Sequence, residues 1–174
     1  MIQVEKVWEG IRGIGLNYGL PVAFVKLGPG GDYATEELLG SIVSSIRSKW
    51  VTILGENTTR VGMGTLVKGL VEVGYKVELE VSSEYREPGW FSYVDRWLVD
   101  WLPTGAFNLG ALRGQDMIRI GIQEDSELGT LSRVLEELKN NQATRVLLVR
   151  EELVGQVFPL IRNSDRIRIF PIRR

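Results

Sequence analysis

A glycine and a carboxylate follow the short apolar run W-V-T-I-L that begins at Trp50. This run is long enough for one buried strand and too short for a helix. Gly55, Glu56 and Asn57 come next, and ligands of parallel α/β sheets bind at the carboxyl ends of the strands. A glycine lets the backbone approach a ligand closely, and a carboxylate accepts hydrogen bonds from ammonium or hydroxyl groups. We therefore predict a ligand site at this turn; the alternative is an ordinary connection between a strand and a helix.

A second carboxylate, Glu80, lies in the alternating segment K-V-E-L-E-V. The period of two places Glu78 and Glu80 on the face opposite the apolar residues of that segment. In a barrel whose outside is covered by helices, the outward positions are apolar, so Glu80 should point into the mouth beside Glu56. Two carboxylates there suit an amine-bearing or hydroxylated ligand. The alternative is a water-filled or collapsed cleft in which Arg or Lys neutralises both carboxylates.

The sequence contains no cysteine and no histidine. These absences exclude disulfides, thiolate nucleophiles, zinc–thiolate sites and imidazole metal ligands. They also exclude a Ser-His-Asp triad and the usual near-neutral general base. Any acid–base chemistry would therefore use carboxylates, lysine or tyrosine.

The length of 174 residues predicts a single domain, 1–174, and the net charge is -1. Such a charge creates no general attraction for nucleic acid or for an anionic membrane. No apolar stretch approaches the roughly 20 residues that span a bilayer, and we find no signal peptide. Near the carboxyl terminus Arg166 and Arg168 alternate with isoleucines, which is typical of the solvated face of an edge strand. We therefore expect a cytoplasmic protein without a nucleic-acid or membrane partner.

Strands and helices are predicted to alternate along much of the chain, which favours a parallel sheet with crossover helices. A helix is predicted to begin at Thr35, capped by that residue, and another to begin at Ser126. The segment G-P-G-G-D at 28–32 is predicted to form a tight turn. The predicted strands are 4–8, 21–27, the run from Trp50, 76–81, 96–102, 117–122, 145–149 and 166–172, and the predicted helices are 35–49, 62–73, 126–140 and 151–161.

Residues 4–27 read V-E-K-V-W-E-G-I-R-G-I-G-L-N-Y-G-L-P-V-A-F-V-K-L, which resembles the opening of the 7-carboxy-7-deazaguanine synthases. That family consists of radical S-adenosylmethionine enzymes of queuosine precursor synthesis, built on a partial (β/α)6 barrel. Its opening reads roughly I-F-x-S-I-Q-G-E-G, followed by G-x-P-x-x-F-x-R-L. The positions that fit this pattern are Glu5 to Trp8, Gly13, Gly15, Gly19, Pro21, Phe24, Lys26 and Leu27.

Two later segments extend the resemblance over most of residues 1–138. The sequence L-G-E-N, with Gly55, Glu56 and Asn57, lies where the family has T-G-G-E-P, which contacts the amino group of S-adenosylmethionine. The sequence G-Y-K-V-E-L-E-V-S-S resembles the family's G-x-x-V-x-I-E-T-N-G strand, with Glu80 on its glutamate and Ser82 near its asparagine. The resemblance implies an α/β fold, a mostly parallel curled sheet forming a partial (β/α)6 barrel with helices outside. It also implies that these five residues line the ligand site.

The chain departs from the family in the segments that carry the family's catalytic residues. The family's cysteine triplet, which holds a [4Fe–4S] cluster, should follow Leu27, but the glycine-rich segment 28–32 closes that gap. Ile14 replaces the glutamate of Q-G-E-G and Arg12 replaces its glutamine. Because the cluster needs three thiolates, we expect no iron–sulfur cofactor and no radical chemistry. S-adenosylmethionine is then at most a bound ligand.

The resemblance and these departures together lead to one functional hypothesis and its alternatives. The hypothesis is a non-catalytic, radical-SAM-like protein that binds a small molecule of the nucleoside or S-adenosylmethionine type, or a protein partner. One alternative is a carboxylate-based enzyme using Glu56, Glu80 and Asp32; another is a synthase-like protein of queuosine precursor metabolism. A third is a structural subunit. We also expect a homodimer, formed through the terminal strand or through the aromatic side chains of Trp90, Phe91, Trp97 and Trp101.

Overall fold

The structure, a computed structural model, describes residues 1–13, 19–55, 58, 62–162 and 164–173. The strands are β1 Ile2–Ile11, β2 Pro21–Tyr33, β3 Trp50–Gly55, β4 Lys76–Ser82, β5 Arg96–Asp100, β6 Met117–Ile122, β7 Thr144–Arg150 and β8 Ile167–Ile172. The helices are α1 Thr35–Ser45, α2 Met63–Glu72, α3 Glu127–Glu137 and α4 Val154–Ile161, with short 3-10 turns at Phe91–Tyr93, Leu109–Ala111 and Glu151–Leu153.

The eight strands form one open sheet whose spatial order, β1 to β8, is the order of the chain. β1 and β2 pair antiparallel, and every later pair of neighbours is parallel. Parallel neighbours need a crossover connection, and α1, α2, α3 and α4 each lie in one of these connections. The predicted α/β class with a mostly parallel sheet is therefore confirmed.

The helices cover one face of this sheet. Strand residues such as Ile53 and Leu79, both with no exposed surface, belong to the same buried cluster as Ile42 of α1 and Leu66 of α2. Because side chains alternate along a strand, the residues between them point to the other side, which we call the inner face. A smaller buried cluster lies on this inner face and consists of Leu98, Met117 and Val146. The sequence prediction that the helices lie outside the sheet is thus confirmed.

The tight turn predicted at 28–32 is wrong, because these residues belong to β2. Asp32 pairs with Gln3 and Gly31 pairs with Val4, so the amino-terminal end of β1 extends the ladder. A Cβ atom on Gly30 would lie 2.2 Å from the carbonyl oxygen of Val4. The glycines here allow two backbones to approach at an irregularity in the register, whereas glycine and proline in a sequence usually mark a turn.

The predicted cap of α1 is also wrong, and the predicted cap of α3 has the right residue without the capping bond. Ala34, in extended conformation, precedes α1, and Thr35 is already helical. Ser126 precedes α3 without a side-chain capping bond; the carboxylate of Glu127 instead accepts a hydrogen bond from the backbone N–H of Gln123 at 2.6 Å. The helix α1 ends at Ser45, four residues before the predicted end, because the next residue is already extended.

The aromatic residues of the middle segment pack inside the chain. Trp97 has no exposed surface and stacks on Phe91, with ring centroids 4.9 Å apart, and on Trp90 at 5.8 Å. Gly64 of α2 lies against the Trp90 ring, where a Cβ would come within 2.6 Å of that ring. Much of the aromatic surface expected at a subunit contact is therefore buried in the core of the described chain.

None of the described helices is both long enough and apolar enough to cross a lipid bilayer.

Candidate functional site

Glu78 and Glu80 lie on the inner face of β4, as the alternation predicts. Val77, Leu79 and Val81 of the same strand belong to the cluster beneath the helices. On the inner face, Glu78 lies opposite Thr52 of β3 on one side and Arg96 of β5 on the other. The predicted orientation of Glu80, away from the helices, is thus observed.

Glu80 is held between two arginines. Its Oε1 lies 2.5 Å from Nη2 of Arg12, and its Oε2 lies 3.2 Å from Nη2 of Arg119. Arg119 also donates to Asp100 on β5 through Nε and through Nη2, the latter at 2.7 Å. Arg12, Glu80, Arg119 and Asp100 therefore form one chain of alternating charge across the inner face.

Glu78 is the most deeply buried carboxyl group of this network, with no exposed surface. Its Oε1 lies 2.9 Å from Nη2 of Arg12 and accepts a hydrogen bond from Thr52 at 3.2 Å, and its Oε2 lies 3.7 Å from Nη1 of Arg96. Burial raises the pKa of Glu78; the charge of Arg12 opposes this rise and the charge of Glu80 adds to it. Glu78 therefore holds a proton to a higher pH than an exposed glutamate does.

The surroundings of the arginines differ. Burial lowers the pKa of Arg96, and the nearby charge of Glu78 offsets part of this effect. Burial also lowers the pKa of Arg119, but its hydrogen bonds to Asp100 and the charge of Glu80 outweigh burial and raise that pKa. Guanidinium groups keep their proton in proteins, so Arg12, Arg96 and Arg119 give this network three fixed positive charges.

Two buried N–H groups of this network lack a hydrogen-bond acceptor in the described residues, namely Nε of Arg12 and Nη1 of Arg96. A buried donor without an acceptor is destabilising by about 1–3 kcal/mol, so such groups are uncommon. They show where a ligand oxygen or nitrogen could accept a hydrogen bond.

Gly55 and Ser82 have structural roles in the described residues. Gly55 has a φ of 107°, and a Cβ there would lie 2.2 Å from the carbonyl oxygen of Leu27. The close approach that requires glycine is therefore to β2. The hydroxyl of Ser82 accepts a hydrogen bond from the backbone N–H of Glu84 at 3.2 Å and so stabilises the turn after β4. The other two predicted site residues, Glu56 and Asn57, lie outside the described residues.

Sequence reasoning missed the roles of Arg96, Arg119 and Asp100. The sequence did contain a pattern that indicates their position. Arg96 and Asp100 alternate with Trp97 and Val99, and Arg119 lies between two isoleucines. Period-two alternation places all three on the inner face. The alternative in which arginine neutralises the carboxylates is what the structure shows for Glu80.

The inner face also has an apolar part. Leu98, Met117 and Val146, on β5, β6 and β7, have no exposed surface, and Leu148 and Phe170 pack against them at the β8 side. A ligand on this face would therefore meet charged groups on β4 to β6 and apolar surface on β5 to β8.

No protein-family model matches the chain, and no curated protein matches it. Among solved structures, the chain is similar to the crystal structure of QueE from Escherichia coli, a 7-carboxy-7-deazaguanine synthase. The TM-score is 0.71 at 12% sequence identity, over 98% of this chain and 94% of that chain. At this identity the likeness shows the fold alone. The radical-SAM-like α/β fold implied by the sequence resemblance is thus confirmed.

The residues of this chain do not fit the [4Fe–4S] cluster that the fold family implies. The sequence has no cysteine to supply thiolate ligands. Within the described ranges, no three histidine, aspartate or glutamate side chains come together as a metal-binding group. After Leu27, where the family has its cluster loop, β2 continues to Tyr33 in a ladder with β1.

Proposed function

We propose that this chain is a non-catalytic member of the radical-SAM-like fold that binds a small polar molecule, of the nucleoside or S-adenosylmethionine type, on the inner face of its sheet. The supporting observation is the pair of buried arginine N–H groups, Nε of Arg12 and Nη1 of Arg96, that lack an acceptor in the described residues. A heterocycle or carboxylate of the ligand would supply the missing acceptors.

The charge network sets a condition on the ligand. Glu80 is already paired with Arg12 and Arg119, so an amine on the ligand would have to displace an arginine from it. Acceptor groups, in contrast, meet two N–H groups without a hydrogen-bond acceptor in the described residues, of which Nη1 of Arg96 has only the distant carboxylate of Glu78, at 3.7 Å, beside it. We therefore rank ligands rich in acceptors, such as nucleosides and deazapurines, above simple amines.

The apolar part of the inner face supports the same class of ligand. Leu148 and Phe170 are half-buried beside three fully buried apolar side chains, so a planar ring could cover them further. Ligand sites commonly combine such apolar surface with a few fixed polar groups. Radical chemistry has no support in this chain, because radical generation in this fold depends on a cluster held by thiolates and the sequence has no cysteine.

Calorimetry against S-adenosylmethionine, purine nucleosides and deazapurines tests this proposal. We expect at least one of them to bind more tightly than about 1 mM. Arg12→Lys should weaken that binding about tenfold or more, because lysine keeps the positive charge between Glu78 and Glu80 but lacks Nε.

The matched control is Arg133→Lys, the same exchange on an exposed residue of α3 whose side chain is 65% exposed. It should bind as the unmodified protein does. Absence of binding for all three ligand classes, or equal affinity of Arg12→Lys and the control, contradicts the proposal. The chain would then be better described as a structural partner of another protein.

A further inference from the structure

A polar cavity of about 380 Å³ lies at the amino-terminal ends of β7 and β8. Arg145 is the second residue of β7, and Arg166 immediately precedes β8. The cavity is lined mainly by Lys139, Asn141, Arg145, Ser164, Asp165 and Arg166. None of the charged side chains of the candidate site around Glu78 and Glu80 lines this cavity, so the two sites can be tested separately.

Arg145 brings a buried positive charge to this cavity. The residue is 5% exposed, and its Nη1 donates to the carbonyl oxygen of Asp165 at 3.1 Å. Its Nη2 donates to the carbonyl oxygens of Asn141, at 3.0 Å, and of Leu138 at the end of α3. Carbonyl oxygens satisfy the N–H groups but supply no full negative charge, and a buried charge is costly unless it is paired.

Arg166 brings a second guanidinium to the same cavity. Its Nη1 donates to the carbonyl oxygen of Gln142 at 2.6 Å. Its φ of 57° makes it the one non-glycine residue with positive φ in the described ranges. This conformation is disfavoured by roughly 1–2 kcal/mol for a residue with a Cβ, and such strain is often found at binding sites.

The two arginines repel each other. Burial lowers the pKa of Arg145, the charge of Arg166 lowers it further, and the charge of Asp165 raises it by less than either. An anion between the two guanidinium groups would remove this repulsion and neutralise the buried charge.

We infer that this cavity binds the phosphate group of a small phosphorylated molecule between Arg145 and Arg166. The planar guanidinium group matches the geometry of phosphate oxygens, and Ser164 adds a hydroxyl donor to the lining. The cavity is larger than a phosphate group, so part of the attached molecule fits as well.

Calorimetry with inorganic phosphate and with ribose 5-phosphate, at constant ionic strength in chloride, tests the inference. We expect saturable binding of at least one of them. Arg166→Gln should weaken it about tenfold or more, because one charge-assisted bond to phosphate is lost. Equal affinities for phosphate and ribose 5-phosphate would show that the phosphate group alone is recognised. Tighter binding of ribose 5-phosphate would show that the rest of the cavity contributes to binding. Both outcomes support the site.

Two further variants guard against a folding artefact. Arg168→Gln removes the same charge two residues away, outside the cavity lining, and should bind phosphate as the unmodified protein does. Asp165→Asn removes the competing carboxylate and should bind phosphate more tightly. Each variant is first shown by thermal unfolding to be folded. Failure of both ligands to saturate by about 10 mM, or phosphate affinity unchanged in Arg166→Gln and Asp165→Asn, overturns the inference.

Discussion

Glu78 carries a carboxyl group with no exposed surface between Arg12, Thr52 and Arg96. Because burial raises its pKa above the ordinary value of 4.5, the folded chain binds this proton more tightly than the unfolded chain. The stability that Glu78 contributes is then fully present below pH 4.5. It is lost as the pH rises through the higher pKa of the folded state.

We predict that Glu78→Gln removes this dependence on pH. Between the two pKa values, the free energy of unfolding of the unmodified protein should fall, relative to the variant, by about 1.4 kcal/mol per pH unit. Denaturant unfolding from pH 4 to pH 8 measures this difference. Glu72→Gln, the same exchange on the exposed surface of α2, is the control. The quantity to follow is the free energy of unfolding of the unmodified protein minus that of Glu78→Gln. If this difference stays constant or increases as the pH rises, Glu78 does not titrate as described.

The sequence contained the orientation of Glu78 and Glu80 but not their partners. Alternation along one strand decides which face a side chain occupies, and this needs only local information. Pairing of Glu80 with Arg12 joins residues 68 positions apart, which only the assembled sheet brings together. The sequence also suggested Glu56 as a neighbour of Glu80; Glu56 lies outside the described residues, and the neighbours that the structure describes are Arg12 and Arg119.

At the scale of single elements, β2 and β3 meet at a point that tolerates only glycine. Gly55 combines a φ of 107° with a Cβ position 2.2 Å from the carbonyl oxygen of Leu27. We predict that Gly55→Ala lowers the free energy of unfolding by about 2–4 kcal/mol, from backbone strain and the displaced strand.

The control for this prediction is Gly40→Ala. Gly40 is an exposed residue inside α1, and a Cβ there meets no atom within 4 Å. The exchange should raise the free energy of unfolding by about 0.5–1 kcal/mol, because alanine favours the helix. Urea unfolding of both variants provides the comparison. Equal changes in the free energy of unfolding for the two substitutions would show that β2 and β3 can move apart at Gly55 without a loss of stability.

Most strands and helices were predictable because their apolar periodicity is strong, and β6 was predicted with its observed bounds. The second half of β2 was not, because G-P-G-G-D has the composition of a turn. Its strand conformation comes from pairing with residues at the start of β1, and no local pattern in 28–32 reports that pairing. The absence of the family's cluster loop was visible in the sequence; the strand that takes its place was visible only in the structure.

At the scale of the whole molecule, the homodimer stays a prediction. Trp97 and its aromatic neighbours pack in the core, so the β8 end of the sheet is the better candidate for the contact. There α4 exposes Phe158 at 58%, and Leu160 of the same helix is also exposed.

We predict that light scattering at high micromolar concentration gives the mass of two chains, and that Phe158→Glu shifts it toward one. The buried charge would oppose contact through this surface. Val43→Glu, at an exposed apolar position of α1, should leave the mass unchanged. A monomeric unmodified protein contradicts the dimer, and an unchanged mass for Phe158→Glu contradicts the β8 contact.

The agreement between sheet order and chain order has a consequence for synthesis on the ribosome. Each strand pairs with the strand made just before it, so every newly emerged segment finds its docking edge already in place. In sheets whose central strands come late in the chain, early strands must wait with unpaired edges exposed. Here only two edges are open at any time, the outer edge of β1 and that of the newest strand, so the growing sheet offers little opportunity for a strand to pair with the wrong neighbour.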